Sequence, residues 1–284
     1  MKIQIEEGRF QQSLAFMTAG ASFVSALEVG YEHYKGSYSN PIMYSPVVLG
    51  GLLTAASLGA VFSPDAATGA MRWLSAVTLA DGIVGFGFHI RGIARKPGGW
   101  SLLLTNVVMG PPLFAPLLFG ASAYLGLMAS YLRREDHRHI PLPPSGWRHD
   151  IHFGRFQKHL ALITAFWTLF CGFESYYSHY KNNFRFKAQW SPLLLAPIHL
   201  AACLGAIPSK RIAKKVLPVT SALAVADGAI GFGYHVRGIL RRPGGKKTWL
   251  YNILYGPPIF APLLFAACGV LGGIAVLLRR ERYA

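Results

Sequence analysis

Long apolar runs separated by short clusters of charge set the pattern of this chain. From Phe10 to Val29, Tyr44 to Phe62, Trp73 to Ile93 and Pro112 to Leu132 the sequence stays apolar for about twenty residues at a time, enough to cross a ~30 Å hydrocarbon core as an α-helix. Four more such runs follow 146 residues later, so the pattern predicts eight transmembrane helices.

Sliding the sequence against itself by 146 residues aligns Gly8 with Gly154 through Glu135 with Glu281 without a gap. DGIVGFGFHIRGIARKPGG (Asp81–Gly99) returns as DGAIGFGYHVRGILRRPGG (Asp227–Gly245), and GPPLFAPLLF (Gly110–Phe119) as GPPIFAPLLF (Gly256–Phe265). An even number of spans per copy makes both copies enter the membrane from the same side, a parallel repeat. The expected fold class is therefore an all-α integral membrane protein with eight transmembrane helices in two tandem, same-orientation four-helix bundles. Residues 1–135 form the first, 136–153 a polar Pro- and His-rich linker, and 154–284 the second. Both termini and the linker share one side, face A, opposite face B.

Composition supports lipid as the surrounding medium: 52% of residues are hydrophobic and 14% charged, against about 25% charged in soluble domains. The formal net charge of +16 would suggest nucleic acid in a soluble chain, but here Lys and Arg flank the apolar runs, where they meet lipid head groups. Membrane lipids are thus expected partners and nucleic acid is not. Of the Lys and Arg residues, sixteen lie on face A and twelve on face B, which favours a multi-pass protein of the cell (inner, cytoplasmic) membrane with cytoplasmic termini. Cys171, Cys203 and Cys268 align with Ser25, Ser57 and Ser122. A position shared by serine and cysteine fills a small space between helices, so neither a disulfide nor a metal cage is expected.

Ionisable side chains retained inside apolar spans mark candidate chemistry. Four occur in both copies: Glu28 and Glu174, His33 and His179, Asp81 and Asp227, His89 and His235. Counting 1.5 Å per residue, Glu28 and His89 fall at similar depth near face B, Asp81 roughly 12 Å deeper, and His33 roughly 7 Å nearer water. Gly85 and Gly82, four and seven residues before His89, share its helical face, as Gly231 and Gly228 share that of His235. A glycine strip beside a histidine suggests a flat slot for a haem or quinone, with imidazole on haem iron and Arg91 or Arg237 near propionates or a quinone head group. Close packing of the helix on a neighbour is the alternative. Pairing His33 with His89 and His179 with His235 on haem b is the simplest arrangement, opposed by a depth mismatch of roughly 10 Å.

Two consecutive prolines, Pro111 and Pro112, should break the stretch Ser101–Leu132 into a short face-B helix, a turn at Gly110 and a fourth span starting at Pro112. Asn106 and Asn252 should face protein. The leading functional expectation is a membrane anchor and electron-transfer subunit of a redox complex, non-catalytic itself or reacting with quinone, with peripheral or membrane protein partners. In it, Glu28, Glu174, Asp81 and Asp227 would move protons. A proton- or cation-coupled transporter or channel and a cofactor-free structural subunit are the alternatives. No nucleotide-binding loop or nucleophile–base constellation is present.

Overall fold

The structure is a computed structural model that describes residues 9–131 and 155–277, and every regular element among them is helical. The first half contains α1 (Arg9–Lys35), α2 (Ser45–Phe62), α3 (Arg72–Ala94), the short α4 (Leu103–Val108) and α5 (Ala115–Tyr131). The second contains α6 (Arg155–Lys181), α7 (Ser191–Ala206), the short α8 (Lys210–Lys215), α9 (Leu217–Leu240), the short α10 (Trp249–Leu254) and α11 (Ala261–Leu277). The expected linker, with His137, His139, His149 and His152, lies outside the described residues. Among the described residues three stretches, Gln11–Lys35, Pro41–Phe62 and Gly69–Ala94, are long and apolar enough to cross a membrane.

Within each half the long helices close a ring of neighbours: α1 packs on α2, α2 on α3, α3 on α5 and α5 on α1, and α6, α7, α9 and α11 do the same. The halves meet through α5 against α6 and α11 against α1, while α4 touches α6 and α10 touches α1. The interiors combine large buried side chains such as Leu14, Leu53, Phe119, Trp167 and Leu271 with small ones. Ser25, Ser57 and Ser122 are buried in the first half, and Cys171, Cys203 and Cys268, all free thiols, in the second.

The local sequence explains the turns. Gly98 and Gly244 both have φ +79°, in the left-handed region that costs an ordinary side chain about 1–2 kcal/mol. That turn aims the chain into α4 and α10, where Asn106 and Asn252 are buried. Each asparagine amide donates back to the carbonyls of the turn, Pro97 and Gly99 in one half and Pro243 and Gly245 in the other. The fourth long helix starts at Ala115, three residues later than expected. Pro111 and Pro112 cannot donate, and the chain stays irregular until the Phe114 carbonyl accepts the first amides of α5.

Candidate functional site

Instead of ending near Val29, α1 runs on to Lys35 and the chain then folds back along it. The reversal uses Ser37 and Tyr38 at φ 58° and 44°, and the second half repeats it with Asn183 and Phe184 at 51° and 47°. Bulky residues hold that conformation only where surrounding contacts impose it. Here the Tyr38 hydroxyl donates to the Gly30 carbonyl at 2.9 Å, and its ring stacks on Tyr44 with centroids 4.1 Å apart. The same ring meets His33 edge-on at 6.1 Å, and Phe184 likewise lies between Trp190 and His179. After the fold-back, α2 begins beside Asp81, to which Ser45 donates at 2.6 Å; Ser191 bonds Asp227 in the same way.

All four repeated histidines bond main-chain carbonyls through Nδ1. His33 lies 2.7 Å from Met43 O and His179 2.9 Å from Gln189 O; His89 is 2.6 Å from Pro112 O and His235 2.5 Å from Pro258 O. A carbonyl only accepts, so each Nδ1 carries the proton and the free lone pair of the neutral ring sits on Nε2. His33 lies within electrostatic range of His89, and His179 of His235.

The carboxylates cross between halves. Glu174 Oε1 accepts the Phe114 amide at 2.7 Å, and Glu28 Oε2 accepts the Phe260 amide at 3.3 Å. Tyr177 donates to Glu174 at 2.9 Å and Tyr31 to Glu28. Phe114 immediately precedes α5 and Phe260 immediately precedes α11, so each glutamate caps the fourth long helix of the opposite half, where the helix dipole favours negative charge. Each broken-helix loop is consequently held twice: at its proline carbonyl by the histidine of its own half, and at its phenylalanine amide by the glutamate of the other. The Phe114 ring also stacks on Phe170 of the opposite half at 4.5 Å.

Not every expected residue joins these clusters. The glycine strips are occupied by the adjoining helix: a Cβ on Gly82 would lie 2.6 Å from Pro116 O, and one on Gly228 2.5 Å from Pro262 O. Gly85 and Gly231 face Pro116 and Pro262 at 3.2 and 3.1 Å. These faces therefore carry the close helix packing, and the flat slot expected along the glycines is closed. Arg91 and Arg237 are exposed two residues beyond their histidines, about 200° round the helix. Among the described residues no group of three or more His, Cys, Asp or Glu could hold a metal ion. His199, fully buried, bonds Thr220 at 3.1 Å in the place that Leu53 takes in the first half. Tyr31 and Tyr177 belong to the aromatics that cluster around the site in the sequence, whereas Tyr38, Phe184, Ser45 and Ser191 carry no sequence signal as site residues. A further signal for the first two is Glu-x-x-Tyr, present in both copies.

No protein family, curated protein or solved structure matches this chain, and its site is read from its own geometry.

Proposed function

We propose that this chain is a multi-pass membrane subunit of an electron-transfer complex, holding haem b between His33 and His89 in one half and between His179 and His235 in the other. One observation carries the reading. All four imidazoles are fixed by an Nδ1–H bond to a backbone carbonyl, the support that metal-ligating histidines use to orient Nε2. Two histidines suffice for a haem, whereas a bare metal ion needs more ligands. A haem held by these imidazoles would supply one-electron transfer.

The surrounding membrane arrangement is eight spans in two same-orientation bundles, supported by the three long apolar stretches and by the helix positions that recur at 146 residues. Cytoplasmic termini follow from the Lys and Arg bias. Exposed Arg91, Arg95, Arg237 and Arg241 near the histidine end offer a basic surface to a peripheral redox partner. The Glu28–Tyr31 and Glu174–Tyr177 pairs, bonded to the same broken-helix loops as the histidines, suit proton exchange with a quinone.

The test is a reduced-minus-oxidised visible spectrum of purified protein with the His33→Ala, His89→Ala, His179→Ala and His235→Ala variants. A b-type spectrum that weakens in each variant supports the proposal, and one untouched by all four overturns it. A second reading, proton-coupled transport, is favoured by one feature: half-buried carboxylates on broken helices of the opposite half, an arrangement that a rocking motion could open. Proton flux into liposomes, lost in Glu28→Gln with Glu174→Gln, distinguishes it.

A further inference from the structure

The two halves differ sharply at one place. The second carries KRIAKK at Lys210–Lys215, where the first has PDAATG at 64–69, so four basic residues replace a segment whose single charge is Asp65. The basic segment folds as α8, its first turn capped by the Ser209 side chain, which accepts the Ile212 amide. Ala213 is buried, and Ile212 packs so tightly on Gly205 that a Cβ there would lie 2.9 Å from it. Lys210, Arg211, Lys214 and Lys215 are all exposed.

Directly beside this helix lies a groove of about 500 Å³ lined by Pro197, Ile198, Ala201, Ala202, Ile212 and Val216. Every lining residue is apolar, and Pro197, Ile198, Ala201 and Val216 are exposed. Along α7 the groove extends about 7.5 Å, from Pro197 to Ala202, and α7 itself ends at Ala206, just before the basic helix. In the first half the residues matching Ile212 and Val216 are Ala66 and Ala70, which shortens that wall just where the positive charge is also missing.

We infer that the groove and α8 form a binding site for one anionic phospholipid, an acyl chain lying along Pro197, Ile198 and Ala201 and the phosphate meeting Lys210, Arg211, Lys214 and Lys215. Charge complementarity selects the occupant: a zwitterionic lipid brings no net negative charge to the basic face of α8, and a free phosphate would leave the apolar groove empty. The site rests on the membrane reading and is independent of the haem reading. It belongs to the second half alone, so it fixes one side of a nearly symmetric molecule to the lipid on the termini face.

The experiment is native mass spectrometry of the full chain in detergent, titrated with palmitoyl-oleoyl phosphatidylglycerol or phosphatidylcholine. One phosphatidylglycerol should be retained on the order of tenfold more tightly than phosphatidylcholine. That preference should vanish in K210Q/R211Q/K214Q/K215Q and in Ala201→Phe, which fills the groove without touching a charge, and persist in K246Q/K247Q at the other end of the half. Unaltered melting temperatures show that the variants fold. Equal retention of both lipids, preference surviving in both α8 and groove variants, or displacement by glycerol 1-phosphate alone would overturn the site. Release of the chain from membranes by alkaline carbonate would instead sink the membrane reading beneath it.

Discussion

Glu174 Oε1 and the amide nitrogen of Phe114 lie 2.7 Å apart although 60 residues separate them, and Glu28 and Phe260 make the same contact across 232 residues. Each half finishes the broken helix of the other. Retention of both glutamates in an apolar environment then has a structural cause, whatever protons they also carry.

Removing one cap should loosen one loop only. Glu174→Ala is expected to lower stability by about 1–2 kcal/mol, the cost of losing a charged helix cap, and Glu174→Gln by less because its amide oxygen still accepts. Hydrogen exchange should speed up at Phe114 in Glu174→Ala and at Phe260 in Glu28→Ala. Unchanged exchange at both amides would show that the carboxylates do not hold these loops.

The glycine strips give a graded test of close packing. Gly82→Ala and Gly228→Ala place a methyl against backbone atoms that cannot rotate away, and each should cost about 1–3 kcal/mol. Gly87→Ala meets nothing within 4 Å and should be neutral or stabilising by up to about 1 kcal/mol, as alanine is the better helix former. Detergent melting curves that rank the three equally would contradict the tight contact between α3 and α5.

His199 is a packing residue on this account. Leu53 fills the equivalent place, and Thr220 keeps its bond to the Leu217 carbonyl when the imidazole is removed. His199→Leu should therefore stay within about 1.5 kcal/mol of the parent with its spectrum unchanged, while His199→Ala, leaving a cavity, should lose at least about 2 kcal/mol. A spectrum lost in His199→Leu would move the cofactor away from the repeated histidines.

The recurrence of helical segments, the limits of α2 and α3 and the small buried positions were legible because they are local. Identity at a fixed offset needs no partner, and the serine–cysteine exchanges at Ser25/Cys171, Ser57/Cys203 and Ser122/Cys268 reported cramped space correctly. Helical periodicity also put Gly82 and Gly85 on the face of His89, but it carries no information about what covers that face, and Pro116 covers it. The fold-back was hidden for a similar reason. Tyr38 and Phe184 hold positive φ only because Gly30, Tyr44 and Trp190 receive them, and those contacts exist only after the chain has turned. Crossing of the glutamates depends on how two bundles meet, which no single-chain pattern encodes.

Haem stoichiometry tests the paired-histidine proposal most directly. Pyridine haemochrome assay of the purified full chain should return two haems b per polypeptide, one in either His89→Ala or His235→Ala, and none when both are replaced. A haem-free parent, or two haems retained in the double variant, would contradict it.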